Sequence, residues 1–310
     1  MNGAREEAGR AAGRSADPGA PPCGGSRGVI GVVGAGTMGV GVAQSFATAG
    51  HHVVLLDPSA EAAAAGRRLL RNGLRAARLL RKPASPEPMD DIAARIDWTH
   101  EVNRLAQAEC VVECGPESIA VKKEILTGLD GACAARTVLA SCTSAIPVST
   151  LAGFTGRPDR VLATHFMNPA PLKDAVEVVR GPQTSAETLE TVQELLRGLG
   201  KRPHVVNDGP GFVSNRVLMP MVNDAAERVQ SGTADAETVD LIFTDCFGHA
   251  MGPLRTADLI GLDTVLDTLV VLRETTGDSR YEPCELLREL VEAGHHGRKS
   301  GRGFHSYGAR

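Results

Sequence analysis

The sequence has few aromatic residues and no long apolar run. Only 3% of its 310 residues are Phe, Trp or Tyr, which leaves too few rings for a surface that stacks nucleic-acid bases. No stretch approaches the roughly 18 consecutive apolar residues that a transmembrane helix needs. The formal net charge of −4 provides no basic field that would attract nucleic acid. We therefore predict neither a nucleic-acid partner nor a membrane partner.

Cysteine is also sparse. The chain has an odd number of cysteines, and they are scattered along its length. In a chain of this length, such a set predicts free thiols in the cytoplasm and excludes a disulfide framework. The seven cysteines are Cys23, Cys110, Cys114, Cys133, Cys142, Cys246 and Cys284.

Length and composition describe an ordinary globular protein. At about 150 residues per domain, the chain is long enough for two domains. Hydrophobic residues make up 42% and charged residues 23%, which excludes collagen and coiled coil. Residues 1–27 differ, because they are rich in Ala, Gly, Pro, Arg and Ser and lack the apolar segment of a signal peptide. We predict a disordered tail there, with a transit peptide as the alternative.

From residue 28 onward, strands and helices are mixed as far as residue 206, and helices alone follow. Apolar, β-branched runs predict buried strands at residues 29–33, 52–56, 110–113, 138–141, 160–165, 175–179 and 203–206. Helical spacing is found at residues 38–49, 60–82, 118–130, 184–198, 212–230, 236–246, 255–260, 264–274 and 283–293. This order predicts an α/β fold, with a Rossmann-like doubly wound sheet domain over 28–206 and an all-helical domain over 207–310.

A glycine-rich turn separates the first predicted strand from the first helix. It has the pattern G-x-G-x-x-G, and Asp57 closes the next strand. The first glycine permits the tight turn, the second lets the backbone approach a pyrophosphate, and the third lets helix and strand pack closely. Asp57 would bind ribose hydroxyls and repel a 2′-phosphate, which favours NAD over NADP. FAD shares the fingerprint, and a structural turn is the other interpretation. The predicted cofactor-binding residues here are Gly34, Gly36, Thr37, Met38, Gly39 and Asp57.

A histidine and a glutamate lie on either side of a proline-containing turn. Pro169 and Pro171 predict that the chain reverses between His165 and Glu177. Returning strands can place the carboxylate beside the imidazole, where it fixes the tautomer and stabilises the imidazolium. Such a pair can remove the hydroxyl proton of an alcohol whose hydride leaves to a cofactor. A structural histidine is the alternative, and no metal site is predicted because no second His or Cys lies at ligand spacing.

Several motifs in order resemble the NAD-dependent L-3-hydroxyacyl-CoA dehydrogenases over residues 28–307. They are the glycine fingerprint and residues 140–144, 165–177, 208–216, 251–253, 258–263 and 297–304. The resemblance implies the cofactor NAD, a homodimer, and a catalytic cleft between the two domains. The implied reaction is oxidation of a 3-hydroxyacyl thioester, short in chain and linked to coenzyme A, to the 3-oxoacyl thioester.

The resemblance also implies roles for individual residues. His165 matches the catalytic base and Glu177 its partner. Ser144 matches the serine that contacts the substrate hydroxyl, and Asn215 matches the asparagine that contacts substrate oxygens from the helical domain. Such side chains can hold the hydroxyl and the developing carbonyl oxygen while the base removes the proton. A helix cap for Ser144 and a polar contact inside a helix for Asn215 are the structural interpretations. The positions matching those that contact the cofactor beyond the fingerprint are Glu117, Lys122 and Ser144.

The sequence departs from the family pattern around the acyl site. Cys142 stands where family members usually carry Asn, and Met167 stands where they carry Phe. Lys173 and Asp174 would be poor walls for a long alkyl chain, which favours a smaller and more polar acyl group. The motifs are also similar to a subgroup of polyketide extender-unit pathways, which oxidises a glyceryl group on an acyl carrier protein toward methoxymalonyl or hydroxymalonyl units. A glyceryl group is itself a 3-hydroxyacyl thioester, so the chemistry is unchanged.

The predicted helix over 60–82 is basic. A solvated face is the simple interpretation, and a contact with the 3′-phosphate of coenzyme A or with an acidic carrier-protein helix is the alternative. Its basic residues are Arg67, Arg68, Arg71, Arg75, Arg78, Arg81 and Lys82.

Together these features predict an oxidoreductase that acts on CH–OH. Two other classes of protein are less consistent with the sequence. The complete set of candidate catalytic residues argues against a non-catalytic NAD-binding structural or regulatory relative. A 3-hydroxyacid dehydrogenase with a lysine base is disfavoured, because no lysine accompanies Asn215 in its predicted helix.

Overall fold

The computed structural model describes residues 28–80 and 86–308. The predicted tail over 1–27 lies outside the described residues, as do Arg81 and Lys82 of the predicted basic helix. Among the described residues, no helix combines the length and the apolar character needed to cross a membrane.

A single sheet of eight strands organises the first two thirds of the described chain. The strands are β1 (Ile30–Val33), β2 (Val53–Leu56), β3 (Ile96–Thr99), β4 (Cys110–Glu113), β5 (Val138–Ser141), β6 (Val161–Phe166), β7 (Ala175–Arg180) and β8 (Arg202–Asn207). Their order across the sheet is β3-β2-β1-β4-β5-β6-β7-β8. The first six are parallel, β7 is antiparallel to β6, and β8 is parallel to β7. Most are buried on both faces, which is why their sequences are continuous apolar runs.

Helices cover both faces of this sheet. In chain order they are α1 (Thr37–Thr48), α2 (Ala60–Leu79), α3 (Met89–Ala94), α4 (Ile119–Ala132), α5 (Val148–Ala152) and α6 (Ala186–Gly198). The core on one face contains residues of α1, α2, α3 and α6, and the core on the other face contains residues of α4 and α5. This two-sided arrangement confirms the predicted doubly wound, Rossmann-like fold.

The remaining helices pack on one another and build a separate core. They are α7 (Ser214–Gln230), α8 (Ala236–Leu241), α9 (Pro253–Ile260), α10 (Leu262–Thr276) and α11 (Glu285–Glu292). The predicted helix over 236–246 is divided, because α8 gives way to a π-helical turn over Ile242–Cys246. The predicted boundary between the two domains, after residue 206, lies one residue before the end of β8. It stays a proposal.

Three short elements were missed by the sequence analysis. α3 and α5 have six and five residues, which is too short for a helical period to show. β3 is an edge strand in which only Ile96 is buried, while Asp97 and Trp98 are partly exposed. A strand exposed in this way needs no apolar run, so its sequence carries no strand signal.

Candidate active site

The antiparallel pairing of β6 and β7 brings the candidate base and its partner together. His165 and Glu177 occupy directly opposite positions in the register, and opposite side chains of an antiparallel pair point to the same face. The imidazole Nδ1 lies 3.0 Å from Oε2 of Glu177, and both side chains are buried. The predicted pairing of these residues is therefore present in the structure.

The carboxylate of Glu177 also accepts hydrogen bonds from the beginning of α7. The backbone N–H groups of Val213 and Ser214 donate to Oε1 at 2.8 and 3.1 Å, and the Ser214 hydroxyl donates to Oε2 at 2.6 Å. These N–H groups belong to the first turn of a helix, where no intrahelical acceptor exists and the dipole favours an anion. Glu177 thus joins the sheet to the helical half of the chain.

These donors keep Glu177 ionised despite its burial. Burial alone would raise the pKa of the carboxyl group. The hydrogen bonds from His165, from the Ser214 hydroxyl and from the two backbone N–H groups outweigh this effect and lower the pKa to about 2. A permanent anion beside Nδ1 holds the proton on that nitrogen and leaves Nε2 as the basic atom.

The rest of the imidazole is positioned by Phe212. The two ring centroids lie 5.8 Å apart in an edge-on arrangement, and Phe212 adopts a positive φ of 54°, which is rare for an aromatic residue. Among the described residues, the hydrogen bonds of the His165 ring use only Nδ1, which leaves Nε2 unbonded. This atom is therefore free to accept a proton from a substrate.

Ser214 is a site residue that sequence reasoning missed. Besides its bond to Glu177, its hydroxyl lies 3.3 Å from Nδ1 of His165. Ser214 lies within the motif over 208–216, but nothing in that motif assigns it a role, and a serine near the start of a predicted helix is usually interpreted as a cap. Its actual partners are 37 and 49 positions away in the chain, so only the tertiary fold reveals them.

The loop that follows β5 carries Ser144 and is held by two predicted site residues. Asn215 Nδ2 donates to the Ser144 carbonyl at 2.7 Å, which links this loop to α7 next to Ser214. The Glu117 carboxylate accepts hydrogen bonds from the backbone N–H groups of Ser144 and Ala145 at 2.9 and 3.0 Å. No helix begins at Ser144, so the helix-cap interpretation is wrong. The structure thus gathers Ser144 and Asn215 close to the His165–Glu177 pair.

Lys122 is buried and does not line an open pocket. Its side chain is fully buried, and Nζ donates to both carboxylate oxygens of Glu113 at 3.0 and 2.8 Å. Burial alone would lower its pKa, but Glu113 and Glu117 outweigh this and raise it. Ser141 Oγ donates to the same Glu113 carboxylate at 2.6 Å. In this arrangement Lys122 supports the carboxyl ends of β4 and β5, and a contact with the cofactor stays a prediction.

The glycine turn has the geometry that a dinucleotide requires. Gly34 adopts a φ of +103°. A Cβ at Gly39 would lie 1.9 Å from the carbonyl oxygen of Gly34, whereas a Cβ at Gly36 would meet no protein atom within 4 Å. Protein packing therefore explains Gly39 but leaves Gly36 unexplained, and the open space beside Gly36 suits a pyrophosphate at the N-terminus of α1. Thr37 and Met38 form the first turn of this helix.

Asp57 lies beside the same turn. One carboxylate oxygen accepts a hydrogen bond from the Ala35 N–H at 2.7 Å, and the other accepts one from the Ser59 N–H at 2.8 Å. The carboxylate is therefore fixed at the carboxyl end of β2, next to the glycine turn. This is the place at which an acidic residue of the fingerprint binds the adenine ribose.

The chain is also similar to known proteins. The 3-hydroxyacyl-CoA dehydrogenase NAD binding domain model matches residues 29–209, and the C-terminal domain model of 3-hydroxyacyl-CoA dehydrogenase matches residues 211–307. A Bacillus subtilis protein named "Probable 3-hydroxybutyryl-CoA dehydrogenase" is 45% identical over 277 residues, which are 89% of this chain and 96% of the relative. A Bradyrhizobium diazoefficiens 3-hydroxybutyryl-CoA dehydrogenase is 40% identical, with 90% and 94% covered.

A solved structure is also similar to this chain. The (S)-3-hydroxybutyryl-CoA dehydrogenase of Ralstonia eutropha superimposes with a TM-score of 0.82 at 39% identity. The superposition covers 91% of this chain and 99% of that one.

The glycine turn provides a paired test of cofactor binding. We expect Gly36→Ala to unfold at the wild-type temperature but to bind NAD roughly tenfold or more weakly, because the added methyl group occupies the space for the pyrophosphate. Gly39→Ala should instead lower the stability of the fold by about 1–3 kcal/mol, because the methyl group collides with Gly34. Thermal unfolding and calorimetric NAD titration measure both effects. Wild-type NAD affinity in Gly36→Ala would contradict the assignment.

The ionised Glu177 predicts a pH-dependent contribution to stability. Its pKa falls from the ordinary 4.5 to about 2 on folding, so folding favours the anion at pH above 4.5, and this advantage is lost as the pH falls toward 2. We expect wild type to exceed Glu177→Gln by up to about 3 kcal/mol in unfolding free energy near neutral pH. Urea unfolding at pH 6, 4 and 3 should show the difference shrinking. A difference that stays constant over this range would contradict the assigned ionisation.

Proposed function

The chain belongs to the 3-hydroxyacyl-CoA dehydrogenase family, and we propose that it oxidises a short 3-hydroxyacyl-CoA such as 3-hydroxybutyryl-CoA to the 3-oxoacyl-CoA. It is an NAD-dependent oxidoreductase that acts on CH–OH. The observation that carries the proposed mechanism is the buried His165–Glu177 pair, in which, among the described residues, the hydrogen bonds of the imidazole use Nδ1 and leave Nε2 available.

The acid–base step uses this imidazole. Nε2 of His165 accepts the proton of the 3-hydroxyl group as the carbinol carbon loses its hydride. Glu177 stabilises the resulting imidazolium, because its carboxylate is already ionised and already oriented by the start of α7. In the reverse direction, the imidazolium returns the proton to the carbonyl oxygen of the 3-oxoacyl group.

The substrate oxygen is held by the loop and helix that meet beside the pair. We assign the Ser144 hydroxyl and the Asn215 amide to the 3-hydroxyl and to the developing carbonyl oxygen. Asn215 also fixes the Ser144 loop through its hydrogen bond to that residue's carbonyl. NAD, when bound at the turn formed by Gly34, Gly36 and Gly39, supplies the hydride acceptor.

The proposed base can be tested by substitution. We expect His165→Ala to lower kcat by roughly 10²- to 10⁴-fold or more while NAD binding persists, because the glycine turn is untouched. NADH absorbance with 3-hydroxybutyryl-CoA measures turnover, and calorimetry measures NAD binding. His52→Ala is the matched control, since His52 lies at the opposite, amino end of β2 and is exposed. Wild-type turnover in His165→Ala would remove His165 from the mechanism.

A carrier-protein substrate is the second candidate, and one observation favours it. The arginines of α2 are exposed along the helix, and Leu69, Leu79 and Leu80 are exposed beside them. Positive charge with apolar residues suits an acidic carrier helix, and the charge alone suits a CoA phosphate. The NADH assay with 3-hydroxybutyryl-CoA and with glyceryl on a carrier protein distinguishes the two. Faster turnover of the carrier-bound glyceryl group would replace the CoA thioester in our proposal.

We also propose that the chain forms a homodimer through its helical half. Val217 of α7 is 66% exposed and Phe247 is 69% exposed, and Leu241 and Ile242 are exposed near Phe247. Apolar patches of this kind mark protein interfaces. A groove between α7 and α8, lined by Met221, Ala225, Val239 and Phe243 among others, continues this surface.

The dimer predicts a mass near twice the 32.4 kDa of one chain. We expect Phe247→Asp to shift the protein toward the monomer in sedimentation velocity, because it places a charge in the apolar contact. Leu79→Asp, on exposed α2, is the control and should leave the mass unchanged. A wild-type protein that sediments as a single chain would contradict the dimer.

We propose a cytoplasmic location for the enzyme. All six cysteines of the described residues are free, which supports the proposal that the enzyme works in the cytoplasm, where thiols stay reduced.

A further inference from the structure

Two cysteines are neighbours at the carboxyl ends of two central strands. Cys114 follows β4 and Cys142 follows β5, and the residues before them, Glu113 and Ser141, are register partners. The Cys142 N–H donates to the Glu113 carbonyl at 2.6 Å, so the parallel ladder continues to this point. Cys114 and Cys142 therefore lie side by side, one strand apart.

Their side chains share one face of the sheet. Both side chains pack against the apolar core that contains α1, and each thiol is the largest influence on the pKa of the other. Adjacent strands lie about 4.8 Å apart, which is within the range of about 4.4–6.8 Å between the Cα atoms of a disulfide. Both residues are also partly exposed to solvent.

The environment distinguishes the two sulfur atoms. The Cys114 thiol, the backbone of Phe166 and the nearby Lys122 ammonium outweigh burial and lower the pKa of Cys142. The Cys142 thiol together with burial raises the pKa of Cys114. The thiolate form, which is the reactive one, is therefore favoured at Cys142.

We propose that Cys114 and Cys142 form a reversible disulfide when the enzyme meets a peroxide, and that this bond slows dehydrogenation. The Cys142 thiolate attacks hydrogen peroxide, gives a sulfenic acid and releases hydroxide. The Cys114 sulfur then attacks the sulfenic sulfur, forms the S–S bond and releases the oxygen as water. Two thiols are oxidised by two electrons and one peroxide is reduced to two waters. A low-molecular-weight dithiol reverses the step by thiol–disulfide exchange.

The consequence for catalysis follows from what these residues contact. The Cys114 carbonyl is 2.8 Å from the place of a Cβ at Gly34, and Cys114 Cβ is 3.4 Å from that of Gly39. A disulfide that moves the Cys114 backbone must therefore move the dinucleotide turn. On the other strand, Cys142 directly precedes the loop that carries Ser144. We expect a loss of roughly ten- to hundred-fold in kcat/KM for NAD, as small displacements in such sites produce.

The test begins with the covalent bond, which is independent of substrate. The reduced enzyme is treated with hydrogen peroxide, its remaining thiols are alkylated, and the digest is analysed by mass spectrometry without reduction. Cleavage after glutamate and after arginine separates Cys110 from Cys114 at Glu113 and Cys133 from Cys142 at Arg136. We expect a peptide pair joined through Cys114 and Cys142 with the loss of about 2 Da. A parallel NAD titration should show weaker binding that dithiothreitol restores.

Variants decide whether this pair causes the loss of activity. Each is compared with its own reduced form, so that a change in basal activity does not obscure the result. Cys114→Ser and Cys142→Ser should lose the reversible inactivation, whereas Cys246→Ser, which removes an exposed thiol, should keep it. Absence of the joined peptides overturns the proposal, as does reversible inactivation that persists in Cys142→Ser. Neither outcome bears on the dehydrogenase function, which the untreated enzyme reports.

Discussion

The active site depends on the hydrogen bonds that the ionised carboxylate of Glu177 accepts. Taking an anion out of water costs several kcal/mol unless donors replace the lost hydration. Here the donors come from two separate parts of the fold, the imidazole on β6 and the first turn of α7. The same bonds that offset the burial of the charge therefore also orient the base and fix the helical half against the sheet. The Glu177 carboxylate therefore fixes both the orientation of the base and the position of the helical half.

Carboxylates perform a similar task elsewhere along the carboxyl edge of the sheet. Asp57 accepts the Ala35 N–H of the dinucleotide turn, and Glu117 accepts N–H groups of the Ser144 loop. The backbone N–H groups of loops at this edge have no neighbouring strand to accept their hydrogen bonds. Acidic side chains accept these hydrogen bonds instead and thereby hold the loops in place.

Much of this fold could be predicted, because a strand buried on both faces must be an apolar run. β1 and β4 show this directly, and the fingerprint and the His165–Glu177 turn follow from local rules about glycine and proline. β3 escaped prediction, because an edge strand carrying Asp97 and Trp98 has no such requirement. The partners of Ser214 and Lys122 depend on tertiary contacts, so no local pattern reveals them. An apolar run can be recognised from neighbouring residues in the sequence. The role of a buried polar group depends on its partners in the fold, which are distant in the sequence.

The alternation of side chains along β4 and β5 gives the two faces of the sheet different chemistry. Glu113 and Ser141 point to the face that holds Lys122, while the next residues, Cys114 and Cys142, point to the face that holds α1. Because successive residues of a strand alternate between faces, the ion pair and the thiols lie on opposite faces of the sheet, although the charge of Lys122 still lowers the pKa of Cys142. They share a backbone, however, so a displacement imposed on one face reaches the other. A covalent change among the thiols would therefore be felt both by the dinucleotide turn and by the loop that holds the substrate hydroxyl.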